Sequence, residues 1–185
     1  MSQTRVVVLL GSLRAASLNR RIAETLRDQA PAGTVVEIAD GLGELPFYNE
    51  ELDVEGRTPE VAVRLREQVA SADRVLAITP EYNGTMPAVL NNAIDWLSRP
   101  YGANALRGKP FAALGATPTR FGGKWSHEDA RRSATVAGAQ VVADIAISES
   151  TIDRGDILAD PEFVGRLLGA LDTLVEHRAE AATAA

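Results

Sequence analysis

The chain has 185 residues, no Cys, two His, 19 Lys and Arg against 25 Asp and Glu, and a formal net charge of -6 at pH 7. Without Cys there are no disulfides, thiolate zinc sites, Fe–S clusters or Cys nucleophiles, and two His cannot build a multi-His metal site. The acidic balance argues against nucleic acid as a partner, and no apolar run approaches the roughly 20 residues that span a bilayer.

Met1-Ser2-Gln3-Thr4-Arg5 leads into only five apolar residues, too few for a signal-peptide core; a soluble, cytoplasmic protein without metal is expected. Those five, Val6-Val7-Val8-Leu9-Leu10, form a largely β-branched run ended by Gly11, the pattern of a strand covered on both faces. Ile22, Ala23 and Leu26 place a first helix after about Ser17 and before Pro31. Thr34-Val35-Val36-Glu37-Ile38 alternates and suits a strand nearer an edge. Asp40 to Arg57 lacks periodicity, and a loop that long in a compact domain is more often functional than idle. Thr58 as N-cap, with Pro59 in the first turn, opens a helix marked by Val61, Leu65 and Val69.

Val75-Leu76-Ala77-Ile78 is a third strand. Met86, Val89, Leu90, Ala93, Ile94 and Leu97 then follow the spacing of one buried helix face. Trp96 lies at the margin of that stripe, where it either widens the core or faces a partner. Phe111 to Leu114 and Val141 to Ile147 read as further strands, the last interrupted by Asp144. Asp160-Pro161 opens a final helix with the stripe Phe163, Val164, Leu167, Leu168, Leu171, Leu174 and Val175. Residues 179–185 read as a frayed Ala-rich tail. Five strands alternating with helices predict one doubly wound α/β domain over residues 1–185.

In an open parallel sheet, ligands bind beyond the carboxyl ends of the strands. Three loops reach that edge. In the first, Gly11 to Arg20, Ser12, Ser17 and Asn19 supply neutral donors and Arg14 a charged one, at a helix start that favours phosphate. The plain alternative is an N-cap by Ser17 with a solvated Arg14. The glycine spacing matches neither a dinucleotide fingerprint nor a P-loop. The second loop, Thr79 to Pro87, is stiffened by Pro80 and Pro87. Asn83-Gly84 is turn chemistry that permits positive φ, and Glu81 and Tyr82 stand at the strand's carboxyl end. The third, Gly115 to Gly123, carries Thr117 and the pair Gly122-Gly123.

Gly11-Ser12-Leu13-Arg14-x-x-Ser17-x-Asn19-Arg20 resembles the phosphate loop of the NAD(P)H-dependent FMN reductases, a group that includes quinone, chromate and azo-dye reductases. Pro80-Glu81-Tyr82-Asn83-Gly84, continuing through Pro87, Leu90, Asn92 and Ala93-Ile94-Asp95-Trp96, is similar to that family's most specific signature. Leu45-Pro46-Phe47-Tyr48-Asn49, Gly108-Lys109-Pro110 and Gly122-Gly123 also match. The resemblance covers about residues 5 to 125.

It implies a flavodoxin-like three-layer sandwich around a five-stranded parallel sheet of order 2-1-3-4-5, with bound FMN and with NADPH or NADH as co-substrate. By the resemblance, Ser12, Arg14, Ser17 and Asn19 hold the FMN phosphate. Pro80, Glu81, Tyr82, Asn83 and Gly84 line the isoalloxazine, and Thr117, Gly122 and Gly123 approach its pyrimidine and ribityl side. Hydride then passes to the flavin and on to a small-molecule acceptor such as free flavin or a quinone. The cofactor carries the difficult chemistry, so no catalytic side chain is required. Tyr82, Arg120, Trp125 and His127 are candidates to border the nicotinamide or acceptor. The resemblance and the position of Trp96 imply a homodimer or homotetramer. Asn91, where the family often has a basic residue, and Lys124 to Glu128 depart from the pattern. The alternatives are a flavodoxin-type electron carrier and a phosphate- or nucleotide-binding module without flavin.

Overall fold

The computed structural model describes residues 3–178. Its strands are β1 (Thr4–Leu10), β2 (Thr34–Ile38), β3 (Arg74–Ile78), β4 (Pro110–Thr117), β5 (Gln140–Val141) and β6 (Ser148–Ser150); its helices are α1 (Leu18–Asp28), α2 (Glu60–Ser71), α3 (Ala88–Leu97), α4 (Lys124–Val136) and α5 (Pro161–Glu176). The tail at 179–185 lies outside the described residues. All strand pairs are parallel, in the order β2-β1-β3-β4-β5, with β6 also paired to β4. That is the predicted order.

Alternate residues of the central strands feed two separate cores, as a period of two requires. Val7, Leu9, Val75, Ala77 and Phe111 pack against α2, α3 and α4 through Leu65, Val69, Leu90, Ile94 and Ala130. Val6, Val8, Leu76, Ile78 and Leu114 pack against α1 and α5 through Ile22, Leu26, Phe163, Leu167 and Leu171. The covered stretches Val6–Leu10, Val75–Ile78 and Phe111–Leu114 are therefore apolar on both faces, which is why they read as continuous runs.

The run from Val141 to Ile147 is not one strand. Its first part ends at Val141, beside Pro110 and Phe111, and the chain returns to β4 only at Ser148, beside Gly115. Ala143 and Asp144 are exposed between these pieces, while Val142 and Ile145 are buried. A charged Asp144 cannot be held between two apolar layers without a partner, so the chain leaves the sheet there. Arg131 of α4 bridges the gap, its Nη2 donating to the carbonyls of Ala113 (3.0 Å) and Ile145 (3.1 Å).

Two further expectations change. The N-cap of α2 is Pro59 rather than Thr58, whose hydroxyl donates to the Val54 carbonyl. The aperiodic stretch from Asp40 to Arg57, expected to serve function, is tied to α3 and helps hold that helix in place. Asn92 Nδ2 and Trp96 Nε1 both donate to the Pro46 carbonyl, and Asn92 Oδ1 accepts from the Tyr48 amide. Arg66 forks onto Asp53 at 2.7 Å and also donates to the Trp96 carbonyl. The guanidinium bonded to Asp53 holds its carboxyl below the usual carboxylate range. Trp96 is 0% exposed, so it widens the core and faces no partner.

Candidate active site

The carboxyl ends of β1, β3 and β4 are held together by a small polar hub. Asn19, near the start of α1, brackets Ala116 of β4: its Nδ2 donates to the Ala116 carbonyl at 2.8 Å and its Oδ1 accepts from the Ala116 amide at 2.9 Å. His127 of α4 sits behind β4 with both ring nitrogens engaged. Thr79 offers only a carbonyl oxygen, 3.0 Å from Nε2, so Nε2 carries the proton and Nδ1 accepts from the Ser148 hydroxyl at 2.7 Å. Burial, above all, pushes the His127 pKa down to about 4, and the ring is neutral at pH 7. Gly115 lies at the centre with φ 157°, where a Cβ would come within 2.3 Å of the Thr79 carbonyl and 2.6 Å of Asn19 Oδ1. A side chain at this position would push the hub apart.

Beyond this hub the three loops enclose a cleft of about 350 Å³. Ser12, Arg14, Ser17 and Asn19 form one wall, Pro80, Glu81 and Tyr82 another, and Ala116 to Thr119 the third. Eight of the twelve residues expected at the site are thus brought together: Ser12, Arg14, Ser17, Asn19, Pro80, Glu81, Tyr82 and Thr117.

The polar groups of the first wall divide in two. The Asn19 amide is occupied by Ala116, so this residue fixes the wall. Ser12 and Ser17 are each only 2% exposed, yet among the described residues neither hydroxyl has a hydrogen-bond partner. Ser17 occupies the N-cap position of α1 without making a side-chain cap bond, which removes the plain N-cap reading. Arg14 beside them has no acidic partner among the described residues. Thr119 adds a buried Oγ1 without a partner. The sequence reading passed over Thr119, because a lone Thr in a Gly-rich loop carries no pattern. A buried hydroxyl without a partner, such as Thr119 Oγ1, is costly, and it lies with the open hydroxyls of Ser12 and Ser17, a cation and the amides of a helix start. This is the donor set that a phosphate monoester needs.

The second wall is a tight hairpin. The amide and carbonyl of Tyr82 bond to those of Thr85 at 3.0 and 3.1 Å, with Asn83 (φ 52°) and Gly84 (φ 75°) between them. Two successive positive φ values define the type I′ turn that Asn-Gly favours. The hairpin is fixed from both sides. The Glu81 amide donates to Thr117 Oγ1 at 3.0 Å, and Glu81 Oε2 accepts from the amides of Trp125 (3.0 Å) and Ser126 (3.3 Å) at the start of α4. Among the described residues, the amides of Asn83 and Gly84 have no partner.

Gly122 and Gly123 are placed differently from the expectation. A Cβ on Gly122 would strike the Ser148 carbonyl at 2.4 Å, and one on Gly123 would crowd His127 at 3.1 Å and Thr117 at 3.2 Å. Neither glycine is among the residues lining the cleft; a side chain at either would run into protein, and their positive φ (60° and 95°) turns the chain into α4. Asn83 and Gly84 stand at the hairpin tip, with Asn83 facing an adjoining hollow shared with Met86, Pro87 and Asn91. His127, 0% exposed, does not reach the cleft. A larger hollow of about 550 Å³ between Asp40, Glu44 and α2 lies away from all three loops.

The family model described as NADPH-dependent FMN reductase matches residues 4–152. The chain belongs to this family. It is an FMN-dependent oxidoreductase that uses NAD(P)H. A quinone reductase of Pseudomonas putida is 42% identical over 134 residues, which is 72% of this chain and 71% of that protein. An NAD(P)H-dependent FMN reductase of Pseudomonas aeruginosa is 45% identical over 118 residues, covering 64% of this chain and 62% of its own length. Among solved structures, the flavoenzyme NAD(P)H:(acceptor) oxidoreductase FerB of Paracoccus denitrificans superposes with TM-score 0.78 at 30% identity, covering 94% of this chain and 98% of that one. A flavodoxin of Pseudomonas aeruginosa, at 16% identity and TM-score 0.60, shares the fold. No helix of the described residues is long and apolar enough to cross a membrane, and no group of His, Cys, Asp and Glu among them can hold a metal ion.

Proposed function

We propose that this FMN reductase holds FMN in the cleft between the three loops and reduces quinones, or free flavin, with NADPH or NADH. The carrying observation is the pair of unpartnered hydroxyls of Ser12 and Ser17, residues otherwise buried, in the cleft beside Arg14 at the start of α1. In this reading those three groups and the α1 amides bind the phosphate, and Asn19 positions them from behind. Thr119 faces the ribityl side. The hairpin from Tyr82 to Thr85 presents the backbone of Asn83 and Gly84 to the ring, with Pro80, Glu81 and Thr117 beneath it. Gly122 and Gly123 seat the start of α4 beside the third wall. Bound FMN supplies hydride acceptance and electron release. NAD(P)H provides two electrons and one proton as hydride, solvent provides the second proton, and a quinone leaves as its hydroquinone.

The proposal extends to one functional unit over residues 1–185, a cytoplasmic setting where NAD(P)H is regenerated, and a homodimer or homotetramer. Trp96 no longer supports self-association; exposed Tyr101 and Val136 beside the groove between α3 and α4 do.

The test is an absorbance spectrum of the purified protein after incubation with FMN, followed by NADPH and NADH consumption with a quinone. The protein is expected to be yellow and to consume at least one donor. Flavin uptake without NAD(P)H oxidation would instead identify an electron carrier, and nucleotide affinity without flavin uptake a non-flavin module. Arg14→Ala is expected to weaken FMN binding by about 1.5–3 kcal/mol, the range for a hydrogen bond to a charged group. Unchanged FMN affinity in that variant removes Arg14 from the site.

A further inference from the structure

Beside the hairpin lies an aromatic wall to which the reading above gives no part in holding FMN. Phe121 and Trp125 flank the turn into α4, their ring centroids 4.9 Å apart. Trp125 lies against the hairpin tip, where a Cβ built on Gly84 would sit 3.6 Å from its six-membered ring. Its backbone is fixed by the Glu81 carboxylate. The Arg120 guanidinium stands 5.7 Å from the Phe121 centroid.

Phe121 is 48% exposed and Trp125 46%, with Tyr82 at 50% across the hairpin. Three half-exposed rings on one rim are unlike the other Trp, which is 0% exposed. Large rings left open to water beside the hairpin that walls the cleft form a surface for a flat apolar molecule, with stacking as the specific contribution. The wall is continuous with the cleft through Tyr82 and Glu81, which line it.

Resting on the functional reading above, we infer that Trp125 and Phe121 form the acceptor platform, which selects planar aromatic acceptors of the quinone class. The occupant is flat, because the wall offers ring faces, and uncharged, because the Arg120 guanidinium lies over Phe121 and Lys124 is paired with Glu128. A small oxyanion gains little from such a surface.

Oxidised FMN-loaded protein has no electrons to give, so titrating 1,4-naphthoquinone into it calorimetrically reads acceptor affinity apart from turnover. Trp125→Ala is expected to raise the naphthoquinone Kd about tenfold, the size of one lost aromatic stack. It should lower kcat/KM for naphthoquinone by a similar factor relative to ferricyanide, an acceptor without rings. Trp125→Phe should restore most of both, and Phe121→Ala should give a smaller change in the same direction. FMN affinity, read by flavin-fluorescence quenching, stays within twofold in all three and reports that they fold. A naphthoquinone Kd within twofold of wild type in Trp125→Ala overturns the assignment. So does a fall in particle mass in that variant, which would make the wall an interface between copies. Wild-type protein that takes up no FMN overturns the parent reading and this one together, and it does so before any variant is compared.

Discussion

Both ring nitrogens of His127 are engaged by Thr79 and Ser148, and burial keeps the ring neutral. From sequence alone a His beside a Gly-rich loop is a fair candidate for proton transfer, but here it is a spacer between α4, β3 and β6. The sign of its effect on stability follows. Its folded pKa of about 4 lies below the ordinary value of 6.5, so the unfolded chain binds the proton more readily. The stability His127 contributes is complete above pH 6.5 and is lost as pH falls toward 4. Urea titrations should show wild type losing about 2 kcal/mol more between pH 7 and pH 4.5 than His127→Gln. Equal acid sensitivity in the two proteins would show that the ring is not sealed.

Glu81 joins two segments 44 residues apart in the sequence. Its carboxylate caps the first amides of α4 while its own backbone belongs to the loop after β3. A carboxylate at a helix N-terminus gains from both the open N–H groups and the helix dipole. Glu81→Ala should cost about 1–2 kcal/mol in chemical denaturation, and Glu81→Gln, which keeps an acceptor oxygen, less than half of that. If Glu81→Gln costs as much as Glu81→Ala, the charge and not the acceptor is what matters. The same scale explains why the fifth strand was misread. Apolar residues at 141, 142, 145 and 147 look like one run, but Asp144 forces an excursion, and Arg131 supplies the donors that a continuous strand would have given Ala113.

At the scale of the molecule, the cleft lies where the order β2-β1-β3 reverses direction, so that adjacent loops diverge and leave room for a ligand. On the opposite side of the α3–α4 layer, Tyr101 (88% exposed) and Val136 (79% exposed) border a groove of about 330 Å³. Self-association through this face predicts a dimer or tetramer in light scattering at micromolar concentration, and a monomer for the Tyr101→Ser, Val136→Ser double variant. A monomeric wild type would leave that face simply solvated.

Local pattern by itself determined β1, β3 and β4, because their covered stretches are buried on both faces and must be apolar, but not where the fifth run leaves the sheet. It determined the helices from their stripes and the site's two most specific segments from their turn and donor chemistry. Only tertiary structure decided which donors remain available. Asn19 is as polar as Ser17, yet Ala116 occupies one and nothing in the described chain occupies the other. It also decided that Trp96, Gly122, Gly123 and His127 serve packing while Trp125 stands open. A residue type states what bonds a side chain can make; which of them are already made depends on partners distant in sequence, and no local pattern carries that.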